Sequence, residues 1–198
     1  SDRYRSAMEP LTLNRIVFYD TRASSLHLIS QCELLAAFQA LTRDLHVMRL
    51  ASFCAELVDT VIELEEPQVP VFALLQGTLA RLASGYVNLA AVRVHFVLRL
   101  LRLAGFHPQL DECTGCGQAS RNQRAFWSAR QGGLLCEPCL YEDPKAEAMP
   151  PHALEMLSSC AEADGPRELD PIQASAIQHR LDEFLRWRLE RPLKTMEM

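Results

Sequence analysis

Apolar residues along the chain follow two periods. Near the start, Leu11, Leu13, Ile16, Val17, Phe18 and Tyr19 form a run rich in β-branched and aromatic side chains, which predicts a strand. After a turn at 20–25, Leu26-His27-Leu28-Ile29 predicts a second, shorter strand. A lone hairpin is marginal in water. The pair is therefore expected to pack on the helices downstream of it or to pair with strands outside this chain. At Ser30 the period changes. Ser30 and Glu33 match a capping box, in which each side chain satisfies an amide at the other's end of the first turn. Leu34, Leu35, Phe38, Leu41 and Leu45 then recur at helical spacing, and Met48, Leu50, Cys54, Leu57, Val58 and Val61 continue the pattern.

Pro67 and Pro70 interrupt that pattern, which marks a loop. Val71, Leu74, Leu75, Leu79 and Leu82 predict the next helix, with Gly85 as its C-terminal cap. Residues 86–104 are nearly all apolar and predict a buried central helix closed by Gly105 and Pro108. On it, Asn88, His95, Arg99 and Arg102 share a narrow stripe. Residues 125–128 predict a small strand, Gly132-Gly133 a turn, and 150–160 a short helix. Asp170-Pro171 reads as an N-cap followed by proline in the first turn. Ile172, Ile177, Leu181, Phe184, Leu185 and Leu189 give the last helix its apolar face. The expected fold class is mainly α.

Composition narrows this reading only a little. Hydrophobic residues make up 48% and charged residues 23% of the 198, within the range of soluble globular domains. The net charge of −5 argues against a protein that only coats nucleic acid. The charge is uneven, however. Residues 86–110 and 118–135 contain no acid, and carry Arg93, Arg99, Arg102, Arg121, Arg124 and Arg130. The two readings of this distribution are a basic face around residues 107–140 and a set of ordinary solvated helix faces. The run 87–103 is broken by Arg93, His95, Arg99 and Arg102, so it does not predict a membrane span. The chain opens without a signal-peptide pattern, and a cytoplasmic setting is expected.

The most specific signal is Cys113-Thr114-Gly115-Cys116-Gly117 followed by Cys136-Glu137-Pro138-Cys139, with nineteen residues between the two Cys-x-x-Cys knuckles. Four thiolates at this spacing can close a tetrahedron around Zn²⁺ and leave no position for water, which is a structural arrangement. The competing readings are two disulfides, a redox pair or an iron–sulfur cluster, and four thiolates can also hold iron. Disulfides need an oxidising compartment, and a redox pair needs only one knuckle. Gly117 suits a knuckle backbone with positive φ. Cys32, Cys54 and Cys160 are expected to be buried thiols in apolar helical surroundings. The six histidines are scattered. No phosphate-binding glycine loop, Gly-x-Ser-x-Gly or His-Glu-x-x-His occurs. Nothing in the sequence points to an enzyme.

Several stretches together resemble one family, the bacterial recombination mediator RecO. They are Ala7-Met8-Glu9-Pro10-Leu11 leading into Cys32-Glu33-Leu34-Leu35, then Leu98-Arg99-Leu100-Leu101-Arg102-Leu103-Ala104-Gly105-Phe106-His107-Pro108 running to Cys113-Thr114-Gly115-Cys116-Gly117. Gly132-Gly133-Leu134-Leu135-Cys136 and the tail Leu189-Glu190-Arg191-Pro192-Leu193-Lys194-Thr195 come next, in order. The resemblance implies an N-terminal OB-fold barrel followed by a helical bundle domain with an inserted four-cysteine zinc module. An OB barrel needs five strands, so residues 1–30 are expected to supply its last two. Residues 31–198 are expected to form the helical domain, with the zinc module at 107–140.

The function implied is that of a non-catalytic mediator of DNA repair and homologous recombination. Such a protein binds and anneals single strands, pairs with RecR, and engages the C-terminal tail of single-stranded DNA-binding protein (SSB). It thereby helps RecA load. Expected partners also include double-stranded DNA but no membrane, and the expected location is the bacterial cytoplasm and nucleoid. Phosphate contacts are expected from Arg3, Arg5, Arg15, Arg93, Arg121, Arg124, Arg130 and Lys194. Phe126 and Trp127 are weighed as base-stacking residues against packing over the knuckles. An apolar groove edged by Arg99 and Arg102 is expected for the SSB tail. The alternative is a zinc-stabilised helical scaffold that binds partners but not DNA. A zinc hydrolase is excluded by four sulfurs, which leave no open position.

Overall fold

The computed structural model describes residues 9–19, 28–62, 67–85, 88–120, 124–189 and 192–196. The first strand, β1 (Leu13–Tyr19), pairs antiparallel with β2 (Leu28–Ala36) in a two-stranded sheet. The second strand is longer than expected, and it replaces the helix that the capping box predicts at Ser30. Ser30 Oγ donates to the carbonyl of Val17, and Glu33 forms an ion pair with Arg15 at 3.0 Å. Both supposed capping residues therefore face the neighbouring strand. Pairing with β1 satisfies the backbone of 28–36, and this overrides a weak local preference. The sheet runs through position 30, the expected domain boundary, and on to 36. Its side chains are poorly covered: Val17 is 48%, Phe18 53%, Tyr19 65% and Leu28 66% exposed. Among the described residues these two strands do not close into a barrel.

Phe38 has φ 36°, which breaks the chain direction before a short 3-10 turn at Gln39–Arg43. Helix α1 (Leu45–Val61) starts only after that turn. Its N-cap is Asp44, whose carboxylate accepts from the amides of His46 and Val47 at 2.7 and 3.2 Å. Helix α2 (Val69–Ala83) has Pro70 in its first turn, where no intrahelical amide is lost. Gly85 follows it with φ 96°.

Helix α3 (Leu89–Leu103) is the central element expected. Ala91, Val92, Val94, Phe96, Val97, Leu98, Leu100 and Leu101 are all buried on it. It packs against α1, α2, α4 (Pro151–Glu162) and α5 (Pro171–Arg188). Asn88 caps its start by accepting from the Ala91 amide. Its end is a Schellman motif: the amides of Phe106 and Gly105 return to the carbonyls of Leu101 and Arg102, with Gly105 at φ 77°. A helix buried on so much of its surface has few positions left for solvent. One polar side chain, Arg93, resolves this by pairing with Asp182 of α5 at 2.6 Å and lying over the ring of Phe53. Among the described residues no helix is long and apolar enough to cross a membrane.

A second sheet, of four short strands, sits between α3 and α4 in sequence. Its order is β3 (Gln109–Cys113), β5 (Gly133–Cys136), β4 (Ala125–Ser128), β6 (Glu147–Met149). The module therefore reaches Met149, beyond the expected limit at 140. β6 is too short to show in an apolar pattern. The strand at 125–128 and the turn at Gly132 are as expected, with Gly132 at φ 86°.

The chain ends in a clasp. Glu56 of α1 accepts from the amides of Lys194 and Thr195 at 2.8 and 3.0 Å, and Thr195 Oγ1 donates to the same carboxylate at 2.5 Å. Beside it Leu193 is buried in the helical core. Desolvation acts to raise the Glu56 pKa, but these hydrogen bonds outweigh it and hold the pKa below its ordinary value. A depressed carboxylate stabilises the fold at neutral pH, and the contribution disappears as pH falls through the folded-state pKa. Glu56→Gln is expected to speed hydrogen exchange at the Lys194 and Thr195 amides at pH 7. Wild type is expected to show the same loosening only when acidified below the normal carboxylate range. Equal exchange rates in both proteins at pH 7 would rule out the clasp.

Candidate metal centre and basic surface

The four-cysteine cluster is assembled from two strand ends and two turns. Cys113 ends β3 and Cys136 ends β5, and the two strands run parallel. Cys116 lies in the turn after Cys113, and Cys139 in a 3-10 helix, Glu137–Glu142. Their sulfurs all lie within 4.8 Å of one another. Cys116 and Cys136 Sγ are 3.7 Å apart. Zn–S bonds of about 2.3 Å at tetrahedral angles put neighbouring sulfurs about 3.8 Å apart. The spacing therefore fits a four-thiolate metal ion and is too long for a disulfide. All seven cysteines are free thiols. Cys113, Cys136 and Cys139 are buried and Cys116 is exposed, so three of the candidate ligands come from the interior and one from the rim.

The knuckle backbone is built for anionic sulfur. Gly117 takes φ 72°, as the sequence suggests, and its amide returns to the Cys113 carbonyl at 2.9 Å. The Cys136 amide points at Cys113 Sγ at 3.3 Å. Burial pushes the Cys113 thiol up, but the amides of Cys136, Cys116 and Gly115 more than compensate and bring its pKa down to about 6. Burial raises Cys136, and the shared hydrogen bond with Cys136, with burial, raises Cys139. Four thiols this close cannot all ionise without a cation to balance them. A divalent metal supplies that balance, and binding it releases protons.

The sheet carries the cluster on one side and the helical core on the other. Phe126 and Leu135 pair across β4 and β5, and both pack with the cysteines. Trp127 and Leu134, the next pair in register, belong to the helical core. Trp127 is 1% exposed and lies 6.0 Å from the ring of Phe184 on α5. It cannot stack on a base. Of the two aromatics weighed from the sequence, Phe126 packs over the knuckles and Trp127 fixes the module to α5. A buried hydrogen bond from Ser128 Oγ to Asp143 at 2.6 Å ties β4 to the segment entering β6. Neither residue stands out in the sequence, because an isolated Ser and Asp carry no periodic signal.

The basic residues separate into three groups. Arg93 is committed to Asp182 and Phe53, with a side chain only 17% exposed, so the geometry leaves it little to offer a phosphate. Arg15 and Arg124 are exposed but paired, with Glu33 at 3.0 Å and Glu137 at 3.7 Å. Arg124 also borders a groove between the module and α4 that Asp111, Glu137, Glu155 and Glu162 line. That side of the molecule is acidic. Arg130 and Lys194 are exposed. Arg3, Arg5 and Arg121 lie outside the described residues. On α3, Arg99 is half-buried and Arg102 exposed. Burial and then the charges of Arg99 and Arg81 lower the His95 pKa, and burial with Arg102 lowers that of His107. Burial is the larger cause of both shifts, and the nearby arginines add to it. Of the remaining thiols, Cys54 and Cys160 are buried on helices as expected. Cys32 sits instead on β2, where it is half-buried.

Metal removal tests the cluster. A ligand present at about 1,000 times its dissociation constant stabilises a fold by about 4 kcal/mol. For a chain of this size that corresponds to roughly 10 °C in Tm. The expected result is one zinc per chain by elemental analysis, and a fall of that order in Tm on chelation. Cys139→Ser should reproduce the fall without chelator. A metal-free chain with an unchanged Tm would overturn the closed-site reading.

Residues 42–197 match the family model described as Recombination protein O C terminal. A DNA repair protein RecO from Roseiflexus sp. (strain RS-1) is 32% identical over 176 residues, covering 87% of this chain and 62% of that protein. The one from Myxococcus xanthus (strain DK1622) is 32% identical over 199 residues, covering 98% of this chain and 78% of the relative. The one from Bifidobacterium adolescentis is 29% identical over 204 residues, with 99% and 81% covered. The chain thus spans 62% of the length of the first of these relatives and about four-fifths of the other two.

Proposed function

The chain belongs to the RecO family of DNA repair proteins, and on that premise we propose that it works without catalysis as a mediator of homologous recombination. In this reading it binds single- and double-stranded DNA and anneals complementary single strands. It pairs with RecR and takes the C-terminal tail of SSB, so that RecA can load. It acts in the bacterial cytoplasm, at the nucleoid. Zn²⁺ is the metal of the four-cysteine cluster, with Cys113, Cys116, Cys136 and Cys139 as ligands and a purely structural task. The observation that carries the reading is the family match over 42–197, which takes in all four cysteines and every helix.

Further features support it. β1 and β2 expose apolar side chains along most of their length, as strands do when their sheet continues beyond them. We read them as the last two strands of an OB barrel. Arg130 is exposed and, among the described residues, forms no ion pair, and Lys194 is exposed beside Glu56. Along α3, Arg99 and Arg102 stand beside leucines in the sequence, and Arg99 and Arg81 both act on His95, which suits an acidic tail with an apolar end.

A second reading, a zinc-stabilised scaffold that binds partners and leaves DNA alone, draws on the net charge of −5 and on the pairing of Arg15, Arg93 and Arg124 with acids. Salt separates the two. A phosphate binder loses affinity steeply as salt rises, through counterion release. The expected outcome is faster annealing of two labelled complementary oligonucleotides, bare and SSB-coated, with an effect that fades between low and moderate salt. Absence of any acceleration at low salt would leave the scaffold reading. Independently, Arg99→Glu with Arg102→Glu should weaken binding of an SSB-tail peptide about tenfold or more, the cost of roughly 1.4 kcal/mol. Unchanged affinity would place the tail elsewhere.

A further inference from the structure

The last turn of α5 and the β4–β5 turn of the metal module, far apart in sequence, meet on the surface. The contact is made by Arg188. Its guanidinium lies over the Phe184 ring, 5.4 Å from the centroid, and against Gly132. A Cβ at position 132 would run into the guanidinium, and φ 86° at that position independently asks for glycine. Phe184 in turn lies against Trp127 of β4. The end of α5 is therefore fixed to the module by a stack running from Arg188 through Phe184 to Trp127.

This arrangement leaves Trp187 in solvent. It is 59% exposed, unusual for the largest apolar side chain when it sits at the end of a well-packed helix. Arg186 and Arg188 flank it, and both are exposed. Arg130 is exposed on the turn that Arg188 touches. None of these three arginines forms an ion pair with another described residue. The acid nearest in sequence among the described residues is Glu183, one helical turn back and half-buried. Basic side chains at a helix C-terminus also favour the helix dipole. That role accounts for the arginines but not for an exposed indole between two of them.

We infer that Trp187, with Arg186, Arg188 and Arg130 around it, is a docking platform for single-stranded DNA. The inference rests on the DNA-binding reading above and gives it a place on the molecule. An exposed indole offers a flat face on which an unpaired base stacks, and guanidiniums on either side meet the phosphates that flank that base. In a duplex the base faces are already stacked, so the indole adds little there. The platform therefore separates single from double strands, as an annealing protein requires. Because Arg130 belongs to the metal module and Arg186, Trp187 and Arg188 to α5, the platform is complete only when the module is folded against the helices.

Two tryptophans make the test direct, since Trp127 is buried and Trp187 is not. Intrinsic fluorescence of the whole chain is followed while oligo-dT of about 20 nucleotides is added at low salt. The expected result is quenching of the red-shifted, exposed component. Trp187→Ala is expected to bind oligo-dT about tenfold more weakly than wild type and a duplex equally well. Trp187→Phe, which keeps a ring, should recover most of the single-strand affinity. Arg130→Glu should weaken both forms of DNA and flatten the salt dependence. If Trp187→Ala binds oligo-dT as tightly as wild type, the platform is refuted while DNA binding itself stands. If wild type binds no oligo-dT at all, both the platform and the DNA-binding reading fail. Thermal melts of the variants matching wild type exclude misfolding as the cause of any loss.

Discussion

Everything in the second half of the molecule depends on one constraint: the strands β3 to β6 are too short to make a core of their own. The longest has five residues, and the sheet has only two sides on which to bury anything. One side is closed by the sulfur cluster with Phe126 and Leu135, and the other by Trp127 and Leu134 set into the helical core. Small domains that cannot bury enough apolar area commonly rely on a metal or disulfides. Here a four-cysteine cluster able to hold a metal ion lies in a module that is also anchored to a larger body. Four thiolates would fill a tetrahedral ion completely, so an ion held there would serve to fix the module's surface in place.

The helical core is organised by a comparable requirement. Helix α3 is apolar on nearly every face, which is tolerable only if other helices cover it on all sides. Each of the other four does so. A charge that faces this packing, Arg93, is neutralised by Asp182 at short range and lies on an aromatic ring. A partly buried guanidinium of this kind is committed to the fold, because withdrawing it would leave a carboxylate unpaired beside the core. For that reason charge counted along the sequence overstates the basic surface that nucleic acid can reach. Exposed arginines without an acidic partner among the described residues include Arg130 on the module's turn and Arg186 and Arg188 at the end of α5.

Much of this was legible in the residues alone, wherever a local rule has a local cause. The cysteine spacing named the four residues whose sulfurs the fold brings together, because a knuckle is a tight turn of four residues whatever surrounds it. Gly117, Gly132 and Gly105 marked turns that need positive φ, because only glycine enters that region cheaply. Asp170-Pro171 marked the start of α5, and the apolar run from 89 to 103 marked the central helix, since a wholly apolar helix has nowhere else to go. Overlap with a known family was readable for the same reason: its signatures fall on these constrained turns.

What the tertiary structure alone decided were the features whose causes lie far along the chain. Ser30 and Glu33 look like a helix start, but β1 offers their backbone a partner, and pairing between strands outweighs a capping preference worth about 1 kcal/mol. Trp127 and Trp187 carry the same side chain, yet one is buried and the other exposed. The difference arises because β4 faces α5, while the end of α5 faces solvent. Whether an arginine is free depends on which acid the fold brings to it, and Asp182 lies 89 residues from Arg93. Sequence period records which face of an element is apolar; it carries no record of which other element will meet that face.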